Sequence, residues 1–94
     1  MFKIFRVSGT SMQPTLVSGD YVLATSIVNN FLKKNSLVVF FDNTHSYIIK
    51  RIKEINKENL FLKSDNLATD SAFCQVPITR NKPIFLVLFI FKKK

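Results

Sequence analysis

The chain has 94 residues, 47% of them hydrophobic, with 14 Lys and Arg against 6 Asp and Glu and a formal net charge of +8. That is one small domain with enough apolar content for a core without staples. The single cysteine, Cys74, excludes an intrachain disulfide and reads as a small buried residue. The single histidine, His45, has no clustered cysteines or carboxylates beside it, so neither a metal site nor a cofactor is expected. The longest uninterrupted apolar run, residues 84–91, is far shorter than the roughly 20 residues a membrane-crossing helix needs. Residues 1–7 are too short and too often interrupted for a signal peptide, so a cytoplasmic or peripherally membrane-associated chain is expected.

Taken in chain order, residues 2–7 form the first strand-like run. Residues 8–20 follow, reading SGTSMQPTLVSGD. Pro14 holds Gln13 out of the helical region and fixes its own φ, so this segment cannot be a continuous helix. It is expected to present Ser11 at an exposed bend. Further runs rich in Val, Ile, Phe and Tyr lie at 21–26, 37–41, 47–55, 60–62 and 84–91. Between them stand Asn29-Asn30, Asn35, Asp42-Asn43, Asn56, Asn59, Asp65-Asn66 and Asn81. Asparagine tolerates left-handed backbone angles and substitutes for glycine at turns. No stretch has helical periodicity. The pattern predicts an all-β domain spanning residues 1–94, a small barrel or coiled sheet. The run 84–91 is apolar on both parities and reads as a core strand, the alternative being contact with lipid, its lysines at the headgroups.

A serine nucleophile needs a base within hydrogen-bond reach. The run 47–53, Tyr-Ile-Ile-Lys-Arg-Ile-Lys, supplies a candidate. In a strand, Ile48, Lys50 and Ile52 share one face, and Ile49, Arg51 and Lys53 the other. Lys50 is therefore flanked by isoleucines, while Arg51 and Lys53 point to water. Burial disfavours an ammonium. Lowering a lysine from about 10.4 to near 7–8 takes roughly 4 kcal/mol. A neutral amine accepts the serine proton and returns it to the leaving group. The bland alternative is a lysine that snorkels past the isoleucines.

These features together resemble the type I signal peptidases, Ser-Lys endopeptidases that share a fold and dyad with the self-cleaving LexA-like proteases. The resemblance rests on Gly9, Ser11-Met12, Pro14-Thr15-Leu16 and Gly19-Asp20, and on the hydrophobic strand carrying Lys50-Arg51. It implies that Ser11 is the nucleophile, that Met12 shapes the substrate-binding wall and that Lys50 is the general base, with Arg51 a supporting surface charge. Gly9 stands where some members carry a second serine in the oxyanion hole, so the backbone N–H of Ser11 acts without that hydroxyl. A third segment, residues 62–71, is similar to the family's Gly-Asp-Asn and Ser-x-Asp-Ser-Arg element through Asp65-Asn66 and Asp70-Ser71. Here Ser64 replaces the glycine, Ala72 the arginine, and Ala68 the hydroxyl that holds the lysine. Thr69 or Ser71 is then expected to orient Lys50, and Asp70 to brace the loop. Residues 32–40 and Val76-Pro77 match more loosely.

The resemblance implies a short, anchorless endopeptidase that removes a leader or signal peptide from a precursor protein bound as an extended strand. A LexA-like self-cleaving domain is the second enzymatic reading. With seven residues ahead of the 8–20 segment, the signal-peptidase side is favoured. The third reading is a non-catalytic basic β-domain binding an anionic membrane or nucleic acid. Net +8 favours peripheral contact with an anionic membrane. No nucleic-acid motif is present, so no specific nucleic-acid partner is expected.

Overall fold

The computed structural model describes residues 2–26, 32–42, 46–66, 77–79 and 83–93. These form β1 (Phe2–Arg6), β2 (Tyr21–Thr25), β3 (Leu37–Asp42), β4 (Ser46–Ile55), β5 (Asn59–Lys63), β6 (Ile78–Thr79) and β7 (Ile84–Phe91). All pairings are antiparallel within one open sheet, ordered β1-β2-β7-β3-β4-β5-β6. The chain's last strand is therefore inserted between β2 and β3. Among the described residues no helix is long and apolar enough to cross a membrane. The expected all-β class holds, and the sheet is open rather than a closed barrel.

Alternation along the strands makes a core on each side of the sheet. One cluster joins Phe5, Val7, Met12, Leu16, Val22 and Val39, with Phe85 and Val87 against it. The other joins Val38, Phe40, Ile52, Leu60, Leu62 and Ile84, with Ile48 and Leu86 against it. Each fully buried Leu, Val, Ile or Phe side chain contributes about 1.5–3 kcal/mol. The β7 strand feeds both clusters because successive side chains point to opposite faces.

Residues 84–91 depart from a simple core strand. Only Ile84 is fully buried, residues 85–87 are half-buried, and residues 88–91 are exposed. The cause lies in the pairing: β3 accompanies β7 only at residues 84–86, and β2 alone accompanies it further on. The two-residue strand β6 was not predicted. Asn35 takes the glycine-like role expected of it, with φ 76°. Asn56 closes the β4–β5 turn by accepting the N–H groups of Glu58 and Asn59 on its Oδ1, at 2.9 and 2.8 Å.

Candidate active site

The segment between β1 and β2 is a loop whose two ends are joined. Val7 N–H donates to Asp20 O at 2.7 Å, and Gly19 N–H donates to Val7 O at 2.9 Å. Within it, Gln13 N–H bonds Thr10 O and Leu16 N–H bonds Met12 O, so the chain turns without becoming a helix. Met12 and Leu16 plug the turn into the first core cluster. Ser11 is half-buried at the bend, rather than exposed. Gly9 has φ +84°, a left-handed conformation that L side chains rarely adopt. That backbone angle accounts for a glycine at this position.

The far end of the loop is fixed by a buried carboxylate. Asp20 accepts Val17 N–H at 3.0 Å, Lys93 N–H at 2.7 Å and the Lys92 amine at 2.8 Å. The same amine donates to Thr15 O at 2.7 Å. These bonds, the one from Lys92 foremost, hold the Asp20 carboxyl down at about 2. The two residues after β7 thereby tie the Ser11 loop to the end of the sheet.

Lys50 lies on β4 opposite Val38, on the face of Ile48 and Ile52. Its relative exposure is 3%, so the snorkelling alternative does not describe it. Its amine donates to Ser64 Oγ at 2.8 Å, and Ser64 is itself buried. A three-residue bridge joins the strand that carries Lys50 to the Ser11 turn.

Ser64 holds the Lys50 amine. Asp65 takes Arg51 in a bidentate pair, Nε to Oδ1 and Nη2 to Oδ2, both at 2.8 Å, and accepts the Thr15 hydroxyl at 2.5 Å. Asn66 donates its backbone N–H to Ser11 O at 2.9 Å and its side-chain amide to Thr10 O at 3.0 Å. Three consecutive residues thus stitch the Ser11 turn to the strand that carries Lys50. Arg51 is not a surface charge pointing to water. It is half-buried, paired with Asp65, and its Nη1 donates to Asn35 O at 2.7 Å. The hydrogen-bonded guanidinium holds the Asp65 carboxyl below the usual carboxylate range, and Asp65 raises Arg51 in return.

A groove of about 720 Å³ is lined by residues 3–9 and 46–49 together with Ser11 and Met12. Met12 is both a buried core residue and part of this lining, and Gly9 lines it too. β1 is an edge strand, and β5 accompanies β4 only from Arg51 onward. Both strands that contribute to the groove's lining thus have stretches with one edge unpaired among the described strands. Lys3 donates to the Tyr47 hydroxyl across it at 3.0 Å, and the Phe5 and Tyr47 rings lie 4.8 Å apart.

Of the residues singled out from the sequence, Gly9, Ser11 and Met12 line this groove, while Lys50 is joined to the Ser11 turn through residues 64–66. Thr69, Asp70 and Ser71 lie outside the described residues, as do His45 and Cys74. The hydroxyl on Lys50 that sequence reasoning missed is Ser64. The signal was parity, since Leu60, Leu62 and Ser64 alternate onto one face of β5 and its extension.

The described residues thus form an all-β domain in which a serine on a core-anchored turn is tied by residues 64–66 to a strand carrying a buried lysine. The chain matches the model of the Peptidase S24-like family over residues 2–81 and belongs to that family. Comparison with curated proteins and with solved structures gives no match.

Proposed function

We propose that this S24-like domain is a Ser-Lys endopeptidase that cleaves an extended segment of a precursor protein. The observation that carries the reading is the bridge 64–66, which grips Lys50 with one residue and the Ser11 turn with another. A peptide strand entering the groove meets the edges of β1 and β4, a recognition mode in which main-chain hydrogen bonds supply affinity. Ser11 Oγ attacks the scissile carbonyl carbon while its proton passes to the neutral Lys50 amine. The C–N bond then breaks, Lys50 returns the proton to the leaving amine, and an ester on Ser11 remains. Water, deprotonated by Lys50, hydrolyses that ester and restores the serine. Burial favours the neutral amine this sequence of steps needs. The backbone N–H of Ser11 is the donor available to the oxyanion, and such preorganised donors are worth roughly 3–4 kcal/mol.

Within this class the residues favour removal of a leader or signal peptide, because the Pro14-Thr15-Leu16 and Gly19-Asp20 elements match type I signal peptidases. Self-cleavage of the LexA type is the second reading, and the family match supports it. Purified protein with a serine-acylating probe and a peptide library tests both. Wild type is expected to label on Ser11 and to cut peptides after small residues. Ser11→Ala and Lys50→Ala are expected to do neither near neutral pH. Full-rate labelling of Lys50→Ala would remove the assigned base, and cleavage confined to the chain itself would favour the LexA type.

A further inference from the structure

We propose that the outer face of β1, β2 and the distal half of β7 docks onto an anionic lipid bilayer. The pairings Ile4↔Leu23↔Phe89 and Arg6↔Tyr21↔Phe91 lay two rows of side chains across three strands, with Phe2 on the same side of β1. Phe2, Ile4 and Phe89 are 65%, 61% and 62% exposed, the largest values of any large hydrophobic among the described residues. The opposite face of the same strands is core, through Phe5, Val22 and Ala24. These are not scattered apolar residues but one contiguous sheet face, of the kind that marks an interaction site.

Charge decides what covers it. No Asp or Glu occurs in β1, β2 or β7. Arg6 stands on the face itself, and Lys92 and Lys93 follow directly on Phe91. The nearby carboxylate, Asp20, is buried beneath Lys92 and offers nothing to solvent. At the other end of the sheet the cations are matched, as in Lys34–Glu54 and Arg51–Asp65. Lys92 is matched by Asp20, but Arg6 and Lys93 make no ion pair among the described residues. Aromatic and aliphatic side chains edged by such cations suit the bilayer boundary, where rings sit at headgroup level and basic groups meet anionic lipid. A second copy of the chain fits worse, because self-association of this face brings Arg6 and Lys93 of two molecules, each of net charge +8, against one another. The inference stands apart from the peptidase reading, since neither Ser11 nor Lys50 takes part.

Vesicle co-sedimentation of the full chain tests it, comparing phosphatidylcholine vesicles with and without phosphatidylserine. Wild type is expected to bind the anionic vesicles and to lose that binding as salt is raised. The triple variant Phe2→Ser, Ile4→Ser, Phe89→Ser and the charge variant Arg6→Glu, Lys93→Glu should each weaken binding by roughly tenfold or more. Ser11→Ala should bind as wild type does, which separates this surface from catalysis. Wild type that ignores phosphatidylserine, or variants that bind as well as wild type, would overturn the proposal. So would a dimer in gel filtration that the triple variant dissociates, which would assign the face to a second copy.

Discussion

The Lys50 amine reaches Ser64 Oγ at 2.8 Å because a one-residue bulge in β4 brings Ser64, not Asp65, opposite it. Near the turn, Ile55 pairs Leu60 and Glu54 pairs Phe61; past the extra residue Lys53, Ile52 pairs Leu62 and Arg51 pairs Lys63. Continued by one step, the shifted register sets Ser64 against Lys50. Without the bulge, a carboxylate would face the lysine and stabilise its charged form. The bulge thus chooses a neutral partner for the amine and sends Asp65 to Arg51.

Ser64→Ala should lower the acylation rate of Ser11 by roughly 100-fold, the scale of a small misplacement of a reacting group. KM for a peptide should change little, because Ser64 is not among the groove's lining residues. Ser64→Thr, which keeps the hydroxyl, should recover part of the rate. Single-turnover labelling across pH separates this from unfolding, since a purely structural role would leave the profile's shape intact.

Arg51→Lys should destabilise the fold by about 1–2 kcal/mol, because an ammonium cannot reproduce the two parallel bonds to Asp65. Urea denaturation measures the loss. Labelling of Ser11 should slow as well, since Asp65 also secures Thr15.

Asp20 gives a pH signature. Its carboxyl titrates at about 2 in the folded protein against a reference value of 3.8. The folded state thus favours the ionised form, so its contribution is complete above the unfolded value and is lost as pH falls from about 3.8 toward about 2. Asp20→Asn should melt below wild type at neutral pH, and the gap should close as the solution is acidified to pH about 2. A gap that stays constant down to that pH would mean the carboxylate's charge contributes nothing.

Two glycines should respond differently to alanine. Gly19 has φ +101°, and an added Cβ would lie 2.7 Å from Lys93 Cδ. Gly9 has φ +84° with open space around it. Gly9→Ala should cost about 1–2 kcal/mol from backbone strain alone. Gly19→Ala should cost more, and Lys93→Ala in the same molecule should recover the excess. Thermal melts of the single and double variants measure this coupling.

Much of the sheet was legible because apolar runs between Asn and Asp marks are long enough to declare strands. The six predicted runs coincide with β1 to β5 and β7 within a residue at each end. β6 escaped because two residues between Pro77 and Pro83 carry no periodicity. Ser11 and Lys50 were legible from turn chemistry and alternation. Their connection was not, because a bulge leaves no mark in Ile52-Lys53-Glu54 that sets it apart from regular strand. Arg51 was misjudged for a related reason: alternation tells which face a side chain leaves from, not whether a carboxylate from 14 residues on waits there. The bonds from Lys92 and Lys93 to Asp20 span more than 70 positions and depend on where β7 inserts.

That insertion sets an order of events during synthesis. The β1–β2 hairpin and the β3–β6 meander share no backbone ladder of their own; β7 alone hydrogen-bonds to both. On the ribosome, the two portions gain a common sheet only once the eight residues of β7 have emerged. Until then the contacts of residues 64–66 with the Ser11 turn are among the links between them that need no residue of β7.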